Sequence, residues 1–171
     1  MSEFEITALV LSEHEVFRRE FAALEDADDL AAAWEALAAR LEVHAVAEEE
    51  LFYPRLAQET SATAEDGEAA VHDHNEIRHA AAAVSEHAVG DDTWWAAVRA
   101  AQEGNADHMA EEERDVQPPF KAGLGEDERE ELGMRWLQFH DEHDGARGLS
   151  GEDADPEAVV RGEGHAEVET A

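Results

Sequence analysis

His44-Ala-Val-Ala-Glu48-Glu-Glu-Leu-Phe-Tyr-Pro54 and His108-Met-Ala-Glu-Glu112-Glu-Arg-Asp-Val-Gln-Pro118 are one pattern, His-x3-Glu-x5-Pro, written twice 64 residues apart. Four residues make about one helical turn, so each His and its Glu stack on one face of a helix. A second pair, Glu13-His14-Glu-Val-Phe17-Arg18 and Asp73-His74-Asn-Glu-Ile77-Arg78, repeats at an offset of 60. The order along the chain is His, His-x3-Glu, His, His-x3-Glu. A duplicated helix pair that held metal between its halves would carry this arrangement.

Working outward, apolar residues recur at helical spacing. A first helix is expected from about Glu5 to Glu25, with Val10, His14, Phe17, Phe21 and Leu24 on its seam. A second runs from an Asp28 or Asp29 cap to about Gln58, with Leu30, Trp34, Leu37, Leu41, His44, Glu48 and Leu51 inward and Pro54 ending or kinking it. Residues 59–67 are expected as a polar turn or frayed start. A third helix follows from Glu68 to Val89, then a turn and N-cap at Gly90-Asp-Asp-Thr93, then a fourth that ends near Pro118-Pro119. Short connections predict an up-down-up-down four-helix bundle over residues 1–124. A short fifth helix over 125–145, with Leu132, Trp136 and Phe139 on one face, is expected to pack outside it. The acidic stretch 146–171 has no apolar period and is expected to be a disordered tail.

His14, His44, Glu48, His74, His108 and Glu112 all fall on these seams. A lone seam histidine is an ordinary satisfied core residue, and buried carboxylates without partners are costly. Four histidines, two with a glutamate one turn on, point instead to metal ligation. Each lies at a similar depth from its nearest turn at ~1.5 Å per residue, so six side chains can share one layer. Mixed imidazole and carboxylate donors suit a dinuclear site with bridging carboxylates; iron fits, and manganese or zinc could occupy the same cage.

The other histidines have plainer roles. His72 and His79 are turned by about 200° and 140° from His74 and face away from the seam. His87 is near a helix end, His140 and His165 are expected in solvent, and His143 at the surface or in packing. Glu49, Glu50, Glu76, Glu111 and Glu113 are assigned to the acidic surface or the layer around the site. Trp34 and Trp94 are expected to pack the far end of the bundle, and Tyr53 to pack at a rim rather than to stand as a redox-active neighbour of the site.

Composition narrows the function. Forty-four acids against 12 bases give a formal net charge of -32, with Lys121 the one lysine. Phosphate recognition needs a basic face, so a nucleic-acid partner is excluded, and anionic membrane surfaces are disfavoured. There is no cysteine, hence no disulfide or thiolate site. No apolar run approaches a membrane span, and the acidic N-terminus lacks the features of a signal peptide. The expected chain is soluble and cytoplasmic. Acid excess with almost no lysine resembles proteins adapted to molar salt, and such self-repulsion weakens a fold when salt is removed.

The two His-x3-Glu motifs, the two lone histidines and the text from His44 to Pro54 resemble the hemerythrin-like family, the HHE cation-binding domains, over about residues 6 to 120. The resemblance implies a four-helix bundle with a non-haem di-iron centre, oxo- or hydroxo-bridged, that binds oxygen or a related small molecule. Carried over, His14, His44, Glu48, His74, His108 and Glu112 are the ligands, and Glu48 and Glu112 the bridges. Two departures stand out. Oxygen carriers of the family have a second histidine four residues after the third-helix ligand, where this chain has Arg78. They also take an aspartate five residues after the fourth-helix histidine, the place of Glu113, so Glu112 and Glu113 both remain open. Arg78 has no lone pair to give a metal. One ion is left with an open position, which favours reaction or sensing over reversible oxygen carriage.

Three functions compete. One is a protein that binds or senses oxygen or a related ligand, or responds to iron. Another is a di-iron oxidoreductase acting on oxygen, peroxide or nitric oxide, for which the sequence shows no flavin, nucleotide or cysteine-cluster motif. The third is a metal-free helical interaction module. Expected partners are metal ions and a small diatomic ligand or peroxide; no protein partner is indicated.

Overall fold

A computed structural model describes residues 2–59 and 61–164, with only the backbone at 61 and 62. It is helical, with no strand among the described residues. The long helices are α1 (Ile6–Ala23), α2 (Leu30–Leu51), α4 (Ser61–Val84), α5 (Asp92–Glu111) and α7 (Glu126–Glu142). Short α3 (Tyr53–Leu56), α6 (Gln117–Gly123) and α8 (Pro156–Val160) lie between or after them, and Glu112–Val116 is a π-helical turn joining α5 to α6.

Local chemistry explains these boundaries. Asp29 caps α2, its side chain accepting from the Ala32 N–H at 3.0 Å. α2 stops at Leu51 because Pro54 offers no N–H and its ring would strike the carbonyl one turn back. Gly90, at φ +85°, turns the chain between α4 and α5. The third long helix begins at Ser61, not near Glu68, and ends at Val84, not Val89. Residues 61–67 are mostly Ala, Glu and Thr, and Thr63 is buried, so tertiary contact carries the helix through the stretch expected as a turn.

Packing places the site. Phe21 meets Trp34 and His14 meets His44, so α1 and α2 pair in opposite senses. Two apolar clusters result. One holds Phe17, Phe21, Trp34, Leu37, Trp94 and Val98, with the Trp34 and Trp94 rings 6.2 Å apart, as the seam pattern predicts. The other holds Ile6, Val10, Leu51, Phe52, Val71, Phe120 and Trp136, with Phe52 stacked on Phe120 at 3.9 Å. The six seam histidines and glutamates carry the layer between them.

α7 packs on α1 and α2. Gly133 allows this approach, because a Cβ there would stand 1.8 Å from the Phe4 carbonyl oxygen. Arg129 fixes the start of α7, donating to Glu5 at 2.9 Å and to the Leu124 carbonyl at 2.6 Å.

The expectation of a disordered tail from residue 146 is corrected over residues 146–164. Ala154 and Val159 are buried, and α8 packs on α4. Asp155 caps α8 through the Ala158 N–H, with Pro156 in its first turn. Asn75 pairs with Ala154 like a second backbone, donating to its carbonyl at 2.8 Å and accepting from its N–H at 2.9 Å. A segment this short shows no period, which is why the pattern missed it. His165 and the end of the tail lie outside the described residues. Replacing Asn75 with Ala is expected to cost about 1–3 kcal/mol of local stability. Amide exchange should then rise sharply over residues 150–160 while α1 and α2 stay protected.

Candidate metal centre

The six residues singled out in the sequence come together. All are nearly sealed from solvent: His14 and Glu48 at 0% exposure, Glu112 at 1%, His74 at 2%, His44 and His108 at 4%. Every histidine turns Nε2 inward and Nδ1 outward. Glu48 is central, with Oε1 3.2 Å from His44 Nε2 and Oε2 3.1 Å from His74 Nε2 and 3.9 Å from His108 Nε2. Glu112 Oε2 lies 3.5 Å from His14 Nε2 and 3.6 Å from His108 Nε2.

Each outward Nδ1 meets a carboxylate. His14 faces Glu113 at 2.9 Å, His44 faces Glu13 at 2.7 Å, His74 faces Glu49 at 2.9 Å, and His108 faces Asp73 at 3.5 Å. Carboxylates so placed fix the imidazole orientation and leave Nε2 with its lone pair directed inward, the arrangement typical of metal-bound histidine. All four acids are sequence neighbours of the six. One residue is 100° of helix, so each acid leaves its own seam and reaches an adjoining helix. The arginines repeat too. Arg18, four after His14, donates to Glu113 at 2.7 Å, and Arg78, four after His74, grips both oxygens of Glu49 at 3.0 Å. Arg78 thus holds the acid that holds His74.

The two glutamates left open by the sequence face different ways. Glu112 points inward, and Glu113, half-exposed, supports His14 from outside. The π turn starts at Glu112, where the chain leaves α5, a placement common for functional residues. Two expectations are corrected. Tyr53 is not at a rim: it is fully buried, and its hydroxyl donates to Glu48 Oε2 at 3.0 Å and lies 3.4 Å from His74 Nε2. The break at Phe52 swings it inward, which a regular helix through Pro54 would not do. His140 is not simply solvated, for its Nε2 stands 2.8 Å from Glu13 Oε1. Glu13 and Asp73 were not assigned roles in the sequence, although an acid precedes the lone histidine in both repeats.

Charge explains why polar groups tolerate this depth. Burial would lift the Glu48 carboxyl, but His44, His108 and His74 around it hold it well below its usual range. Burial and then the Glu48 charge push Glu112 up. Burial pulls His108 down, yet Asp73, Glu48 and Glu112 raise it to about 10; His44 is likewise raised against burial by Glu48 and Glu13. Protons on His44 and His108 therefore balance the carboxylates when nothing else does. Six carboxylates touch the four rings, and Arg18 and Arg78 offset two of them.

Even so, His14 Nε2, His44 Nε2, Glu48 Oε1 and both Glu112 oxygens lack hydrogen-bond partners. Buried polar atoms are rarely left unpaired unless something else satisfies them. A cation would do so. His14, His44, Glu48 and Glu112 offer one set of donor atoms within 4.8 Å of one another, and Glu48, His74 and His108 offer a second. Glu48 belongs to both, one oxygen to each side.

The family model described as the hemerythrin HHE cation binding domain matches residues 5–120. No curated protein and no solved structure matches the chain. A match over most of the chain, joined to an inward ring of imidazoles and carboxylates with unsatisfied donor atoms, leads to one conclusion: the chain belongs to the hemerythrin HHE cation-binding family.

Proposed function

We propose that this protein holds two iron ions bridged by Glu48, with His14, His44 and Glu112 completing the shell of one and His74 and His108 that of the other, and that it binds or senses oxygen or a related small molecule in the cytoplasm. The observation that carries the reading is the two overlapping donor sets sharing Glu48. No described helix is long and apolar enough to cross a membrane. Bound iron would supply Lewis acidity and electrons to a coordinated ligand.

The chain's own residues prepare a place for that ligand. The set of Glu48, His74 and His108 has one protein donor fewer than the other. Beside it is a cavity of about 40 Å³, walled by Leu41, Ala45, Ile77 and Ala81 and floored by His44, His74 and His108. That is room for a diatomic molecule or a water or two. The Tyr53 hydroxyl, kept protonated by burial and by the charges of Glu112 and Glu48, donates to the shared Glu48 carboxylate and lies 3.4 Å from His74 Nε2, outside the residues that wall this cavity. The same missing donor favours a second reading, an oxidoreductase acting on oxygen, peroxide or nitric oxide.

Optical spectra of iron-loaded protein in molar salt test the assignment. Near-ultraviolet bands of a bridged iron pair, perturbed by nitric oxide, support it; a protein that takes up zinc or manganese but no iron contradicts it. Peroxide turnover lost in Tyr53→Phe would favour the second reading over binding alone. We also expect a salt-adapted fold: with a net charge of -32, the melting temperature should climb by ten degrees or more from dilute buffer to molar salt, on the order of a few kcal/mol. An unchanged melting temperature would count against that adaptation.

A further inference from the structure

Glu13 and Asp73 are counterparts in the two repeats, yet their surroundings differ. Asp73 stands 3.5 Å from His108 Nδ1 and borders an open groove between α4 and α5. Glu13 lies 2.7 Å from His44 Nδ1 and is covered by α7. There the Trp136 indole N–H donates to Glu13 Oε1 at 3.2 Å, and His140 Nε2 stands 2.8 Å from the same oxygen, an ion-pair contact rather than an aligned hydrogen bond. The Trp136 ring also meets the His44 ring edge-on, with centroids 5.4 Å apart, and Trp136 is 1% exposed. The other ring nitrogen of His140 faces the Trp136 carbonyl at 2.8 Å, which fixes the ring plane. Helix α7 begins at Glu126, beyond the family match at residues 5–120.

We propose that α7 is a clamp on one half of the metal centre: Trp136 and His140 are positioning residues that lock Glu13, and through it His44. The ion position built from His14, His44, Glu48 and Glu112 is thereby held more rigidly than the one built from Glu48, His74 and His108. The inference rests on the metal reading above. Its physical basis is the orientation of a ligand by the groups hydrogen-bonded behind it; losing such a partner commonly costs about 10–100-fold in metal affinity. The internal repeat supplies the comparison, since Asp73 faces His108 in the same way with no such clamp among the described residues.

The test is ferrous-ion titration of the full-length apoprotein in molar salt, with Mössbauer spectra at one and two equivalents of iron. In the wild type the first equivalent should fill one position and give a single dominant signal. His140→Ala and Trp136→Phe should each weaken the tighter position by roughly tenfold or more, leave the weaker one within about twofold, and give mixed signals at one equivalent. His140→Gln keeps an N–H donor of similar reach and should restore the wild-type order. His143→Ala, at the C-cap of α7 but against Phe139 and the Arg147 carbonyl, should change neither. Should a variant prove unstable, the other still reports, because each removes one contact to the same oxygen. Equal weakening of both positions, or no weakening, overturns the clamp while leaving the metal reading intact. A wild type that binds no iron removes both.

Discussion

Glu48→Ala is expected to strip most of the metal from the centre, while Glu112→Ala leaves more of it. Glu48 belongs to both donor sets, and its two oxygens face opposite ways, toward His44 and toward His74. Without it the sets shrink to His14, His44 and Glu112 on one side and to two imidazoles on the other. Two neutral rings alone neither balance a divalent charge nor close a coordination shell. Glu112 contributes to one set, so its loss should cost one ion. Metal analysis after gel filtration in molar salt should give about two ions per chain for the wild type, about one for Glu112→Ala and well under one for Glu48→Ala. A Glu48→Ala protein that keeps two ions would show that the carboxylate is no bridge.

Removing metal is expected to destabilise the fold and to reverse its response to pH. When free metal exceeds its Kd about a thousandfold, each bound ion contributes about 4 kcal/mol. Two ions would then raise the melting temperature by roughly 15–30 °C in a chain of this size. The apoprotein must instead hold Glu48 and Glu112 with protonated imidazoles. His108 is raised from 6.5 to about 10 in the fold, so the stability it contributes is full below pH 6.5 and lost as pH rises toward 10. Glu13 is lowered from 4.5 to about 2; burial opposes this, and His140 and His44 outweigh it. Its contribution is full above pH 4.5 and lost as pH falls toward 2. Apoprotein stability should therefore peak between about pH 4.5 and 6.5 and decline toward alkali. Metal requires neutral imidazoles and displaces those protons, so the difference between loaded and empty protein should widen from pH 6 to 9. Thermal melts with and without chelator across that range check both statements. Parallel curves would contradict them.

The fold was legible wherever long periodic helices made it so. The seams of α1, α2 and α5 carried both the core and the polar layer, and the placement of His14, His44, Glu48, His74, His108 and Glu112 in the sealed interior followed from spacing alone. What stayed hidden lies in geometry that period does not encode. Tyr53 reaches Glu48 because the helix breaks at Phe52, and no regular helix predicts that turn. Glu13 and Asp73 were readable in principle, as acids preceding a histidine in both repeats, but which ring each meets depends on how helices pack. Apolar spacing puts Trp136 on the inner face of an outer helix; its N–H toward Glu13 is a tertiary fact. The segment around Ala154 is too short for any pattern, and two backbone-like bonds to Asn75 decide its place.

Anomalous diffraction at the iron edge, from crystals of iron-loaded protein grown in high salt, addresses the central claim most directly. Two peaks about 3.5–4 Å apart, both within reach of Glu48 and enclosed by the four imidazoles, are the predicted result. A single peak away from Glu48, or none at all between the two apolar clusters, would contradict it.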